Sequence, residues 1–132
     1  MDFILGLHSL LRWLVVLAAV VAVARYVIDL VGKSPDTEMS RKLMMVYTIL
    51  LDVNVLLGLI LIIGRATAIG QVLPIWIEHA TTNIIAVVIA HIFAARSKKM
   101  AEPKRAAKWR LAGVVISILL IVMGVARIGG WA

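Results

Sequence analysis

The chain has 132 residues, of which 63% are hydrophobic and only 16% charged, and its mean hydropathy is +1.04. A soluble domain of this size holds roughly half its residues as apolar ones, so the composition excludes an ordinary water-soluble fold and indicates an integral membrane protein. The formal charge of +7 arises from 14 Lys and Arg against 7 Asp and Glu; because the basic residues sit at the ends of apolar runs, the excess reads as membrane topology and excludes nucleic acid as a partner.

The opening MDFILGLHSLLRW lacks the basic flank and small-residue cleavage site of a signal peptide, so it is expected to be mature sequence. It begins the first of four apolar segments, about residues 3–31, interrupted by His8, Arg12, Arg25 and Asp29. The second covers about 43–64 between Arg41–Lys42 and Arg65, and holds Asp52 and Asn54. The third, about 74–96, starts at Pro74, which suits a first helical turn, and carries His79, Asn83 and His91. The fourth, about 108–128, has no charge between Arg110 and Arg127 and includes Ser117. Runs of this length must satisfy their own backbone groups in lipid, which predicts helices. The expected fold is all-α, a single transmembrane four-helix bundle over 1–132 in up-down-up-down order.

Connections at Gly32–Ser40 and Ala66–Leu73 are short enough to join antiparallel neighbours. With four spans, both termini share a side with the Ala66–Leu73 connection. That side holds three basic residues, Arg12, Arg65 and Arg127, and the other holds eleven. The positive-inside rule then predicts both termini outside and the lysine-rich connections in the cytoplasm. Trp76 and Trp131 are expected at the outer interface, and Trp109 and Tyr47 nearer the inner one.

An imidazole inside a membrane helix is costly to desolvate and is read first as part of a site. At a rise of about 1.5 Å per residue, His8 and His79 lie level, each a turn or two below the outer end of its helix. Two such histidines on separate helices are the arrangement that holds a haem through both imidazoles. Arg12, Arg65 and Arg127 lie toward the same end, where propionates need cations, and Asn83, one turn from His79, is placed to orient its ring. The same positions also suit an interfacial histidine beside a snorkelling arginine. His91 lies about 120° round the helix from His79 and roughly 18 Å deeper, so the two cannot share a face. His91 is a further candidate metal ligand, with Met44, Met45 or a second subunit as the partner it lacks. Asp52, near the middle of its helix, is costly there without a partner; Arg12 is the candidate, and a role in catalysis or proton transfer is the alternative. Asn54, Asn83 and Ser117 are polar groups suited to bonding helices together. Small-residue stripes, Ala86–Ala90–Ala94 and Gly113–Ser117–Gly124, allow close helix packing or admit a flat macrocycle. With no cysteine in the chain, thiolate sites and covalent haem attachment are excluded.

The segments LHSLLRWLVVLAAV, LLDVNVLLGLILII and EHATTNIIAVVIAHIFAARSKK, in this order, resemble a family of small four-helix bacterial membrane proteins labelled cytochrome b-like. The resemblance covers most of the chain. It rests on His8, Ser9, Arg12 and Trp13 in the first helix, Gly58 and Leu59 in the second, and His79 and His91 in the third. The chain departs from the pattern in the second helix, where members often carry a histidine and this sequence has Asp52 and Asn54. The resemblance implies b-type haem binding and electron transfer in a bacterial inner membrane. The expected function is therefore a membrane cytochrome with one non-covalent haem b per chain on His8 and His79. It would relay electrons near the outer face, with a quinone or a larger respiratory complex as partner and membrane lipid or a further copy as neighbour. The alternative is a cofactor-free accessory or assembly subunit of a larger membrane complex.

Overall fold

The computed structural model describes residues 2–33 and 37–129, which form four helices: α1 (Asp2–Val31), α2 (Thr37–Ile69), α3 (Pro74–Lys98) and α4 (Pro103–Arg127). Each is long and apolar enough to cross a membrane, as in a multi-pass membrane protein. Two helices outrun the apolar segments that predict them. α2 starts at Thr37 rather than near Leu43 and continues to Ile69, and α4 starts at Pro103 rather than Lys108. An apolar window marks what lipid tolerates, whereas helical hydrogen bonding runs on through polar residues that favour helix. Glu38 and Lys42 support the extension with an i,i+4 ion pair at 3.2 Å. α2 stops where Gly70 takes a φ of +74°, a left-handed turn that suits glycine. Pro74 and Pro103 open α3 and α4 in the first turn, where no amide donor is missed.

The helices pack as a ring, α1 on α2, α2 on α3, α3 on α4 and α4 on α1, with α3–α4 the most extensive contact and α2–α3 the thinnest side. Across the diagonals, α2 and α4 barely touch and α1 and α3 do not approach closely. The interior mixes small residues, Ala19, Ala22, Ala86, Ala90, Ala106 and Ala107, with larger ones such as Val15, Tyr26, Tyr47, Leu51 and Val114, while Leu17, Val20, Leu56, Ile63, Leu119 and Met123 point outward. Alanines at the contacts and large apolar side chains on the outer surface are not the arrangement of a water-soluble bundle. They are the pattern of helices that gain nothing from hiding leucine and associate by close backbone approach.

The glycine stripe of α4 belongs to this packing. A Cβ on Gly113 would stand 2.6 Å from Phe93 Cβ, and one on Gly124 would stand 3.2 Å from Thr82 Cγ2. Ala86 and Ala90 are fully buried in the same core. Tyr47, expected nearer the inner interface, is wholly buried, and Ser117 offers its hydroxyl a partner inside the bundle. Ser117 Oγ donates to Val114 O at 3.2 Å, so Tyr47 Oη is the donor in the 2.6 Å bond to Ser117 Oγ. Trp109 packs against Phe93 in a tilted arrangement with ring centroids 5.2 Å apart and lies under the Arg96 guanidinium. Trp131 lies outside the described residues.

Candidate functional site

The missing contact between α1 and α3 leaves a cavity of about 370 Å³ in the half of the bundle that contains the α2–α3 turn. His8 and Arg12 enter it from α1, His79 and Asn83 from α3, so all four residues expected to hold a cofactor line one space. α2 supplies one wall through Leu51, Asn54, Gly58 and Arg65, and α4 the other through Ile121 and Val125. Most of the lining is aliphatic, with the polar groups concentrated on the two histidines and the arginines beside them.

Both histidines are held in the same way. His8 Nδ1 lies 3.0 Å from Asn54 O, and His79 Nδ1 lies 3.2 Å from Gly124 O. A carbonyl oxygen only accepts, so each Nδ1 carries the proton and donates, and each Nε2 keeps its lone pair. The acceptors sit on α2 and α4, so each imidazole on one diagonal pair of helices is fastened by the other pair. Gly58 accommodates the His8 ring, since a Cβ there would stand 3.0 Å from His8 Cε1. Asn83 Nδ2 donates to the His79 carbonyl at 2.6 Å and lies 3.4 Å from its Nδ1. Its amide therefore braces the helical turn that carries the ring. The side-chain oxygen of Asn54 is buried beside the His8 ring.

Three expectations are revised. Asp52 does not pair with Arg12; its two oxygens lie 2.8 and 3.0 Å from His91 Nε2. Asn54 faces the cavity where Arg12 is, and two residues of helix turn the chain by about 200°, so Asp52 is directed away from it. His91 thereby has a partner on α2, and both side chains are about half exposed, at 49% and 45%. Arg127, grouped with Arg12 and Arg65 as a cation for an acidic ligand, is instead bound to Glu78 at 3.1 Å. Among the described residues no group of three or more His, Cys, Asp or Glu side chains converges.

The opposite end of the bundle holds polar groups that sequence reasoning missed. Tyr26 Oη donates to Ser40 O at 3.1 Å, and Arg110 Nη1 donates to Ser40 Oγ at 2.9 Å. Asp29, almost fully buried, is bridged by Arg25 at 3.0 Å. Tyr26 and Arg110 sit at helix ends where a snorkelling reading is the default, and nothing in their spacing marks Ser40 as the partner that draws both inward.

Comparison of the chain with protein-family models, with curated proteins and with solved structures gives no match.

Proposed function

We propose that the chain is a b-type membrane cytochrome in which His8 and His79 hold one haem in the α1–α3 cavity. The observation that carries this reading is the pair of Nδ1-to-carbonyl hydrogen bonds, which leave two Nε2 lone pairs on facing helices of one cavity. Haem ligated by two imidazoles exchanges one electron without needing an open coordination position. The residues present fit such a group. A planar, largely apolar macrocycle suits a cavity walled by Val15, Leu51, Leu61 and Ile121, and its carboxylates suit Arg12 and Arg65. The carbonyls of Asn54 and Gly124 fix each ring's tautomer and rotation and raise the basicity of Nε2. Gly58 leaves His8 the room to turn its edge into the cavity.

In this reading the four helices span a bacterial inner membrane with both termini and the haem toward the outer side. Electrons then pass between a quinone or a respiratory complex and an acceptor at that face. The positive-inside distribution of eleven basic residues against three supports the orientation. His91 and Asp52 lie outside the cavity and take no part in ligation.

The test is the absorption spectrum of protein purified from haem-sufficient cells. It is expected to show one six-coordinate haem b per chain, lost in His8→Ala and His79→Ala and kept in His91→Ala and Asp52→Asn. A colourless wild-type preparation that co-purifies at fixed stoichiometry with a larger complex would replace this reading with that of an accessory subunit.

A further inference from the structure

At the lysine-rich end a second cavity, of about 430 Å³, opens between α2 and α3, the thinnest side of the ring. Four cations line it: Arg41, Lys42, Lys98 and Arg110. One carboxylate, Glu38, shares the space and is engaged by Lys42 at 3.2 Å. The hydroxyls of Thr48 and Ser97 donate to carbonyls of their own helices, so they add no donor to the cavity. Its positive charge is therefore carried by side-chain cations alone.

Arg110 is the informative member. It is only 2% exposed, yet it makes no ion pair with a carboxylate among the described residues; its hydrogen bond goes to the neutral Ser40 hydroxyl. Asp29, bridged by Arg25 at 3.0 Å, also attracts it electrostatically. Buried charges are ordinarily paired, and this buried guanidinium borders a cavity lined by three further cations with no carboxylate at ion-pair distance from it among the described residues. Farther along the helices, Met44 and Met45 add apolar lining, and His91, held by Asp52, also borders the cavity. Cations at a helix-end level above apolar side chains match an anionic headgroup joined to hydrocarbon.

We infer that this cavity binds the phosphodiester headgroup of an anionic phospholipid of the lysine-side leaflet, with Arg110 and the three mouth cations as its counter-charges. The inference rests on the membrane placement above and not on the haem.

Full-length protein extracted in detergent and stripped of lipid is titrated, by native mass spectrometry, with dioctanoyl phosphatidylglycerol, dioctanoyl phosphatidylcholine and inorganic phosphate. One equivalent of phosphatidylglycerol should be retained in preference to phosphatidylcholine. Its affinity should fall by about ten-fold or more in Arg41→Gln/Lys42→Gln/Lys98→Gln, whose substituted side chains are exposed, and also in Arg110→Gln. Removal of equal charge beside the cavity, in Lys104→Gln/Arg105→Gln/Lys108→Gln, should leave it unchanged. Equal retention of the two lipids, equal loss in both triple variants, or phosphate binding as tightly as the lipid would overturn the assignment. A chain that stays soluble without detergent would overturn the membrane placement with it, whereas a detergent-dependent protein that fails only the lipid titration overturns this site alone.

Discussion

His8 and His79 illustrate how much a side chain's chemistry depends on its second nitrogen. A histidine without a fixed Nδ1 partner presents either tautomer, whereas the carbonyls of Asn54 and Gly124 leave each Nε2 free to accept a metal. Gly58 is the residue on which the His8 geometry turns. In Gly58→Ala the new methyl group would press on Cε1 at 3.0 Å and rotate the ring away from Asn54 O. Haem affinity, read by titration of apoprotein, is expected to fall about ten-fold to a hundred-fold. Gly6→Ala, which meets nothing within 4 Å on the same helix as His8, should leave it unchanged. The histidines were legible in sequence because intramembrane imidazoles are rare and costly. Their acceptors were not, because a backbone carbonyl has no residue type to announce it.

At the scale of the helix, a residue's face decided more than its depth. Asp52 and Arg12 were matched by depth, but the helical rotation between Asp52 and Asn54 sends the carboxylate to α3, where His91 meets it. The same arithmetic correctly separated His79 from His91: one bonds to α4 and the other to α2. Helix contacts also sort the small residues. Gly113 faces Phe93 of α3, and Gly113→Ala would force its methyl group against Phe93 Cβ. Overpacking of this kind costs about 1–3 kcal/mol. Thermal unfolding in detergent should show that loss, and haem ligation should persist because Gly113 is remote from the cavity that holds His8 and His79. The small-residue stripe was visible as a pattern, but whether it faced a helix or a cofactor depended on which neighbour it met.

For the molecule as a whole, the positive-inside reading makes a direct prediction, and the lack of native cysteines makes it simple to test. In intact cells a membrane-impermeant maleimide should label Gln71→Cys, in the α2–α3 turn, and should reach Lys99→Cys, before α4, only after permeabilisation. The reverse pattern would invert the topology and place the His8–His79 cavity toward the cytoplasm. Composition and the spacing of apolar runs by themselves determined that the chain forms four membrane-length helices, because span length and backbone satisfaction leave a segment of that hydropathy few alternatives. Only the tertiary structure decided that α1 and α3 stand apart while their neighbours close around them, opening one cavity onto both histidines. It also decided that Arg110 turns inward to Ser40. Both outcomes depend on how four helices share limited contact area, and that is settled by pairs of surfaces rather than by any single segment.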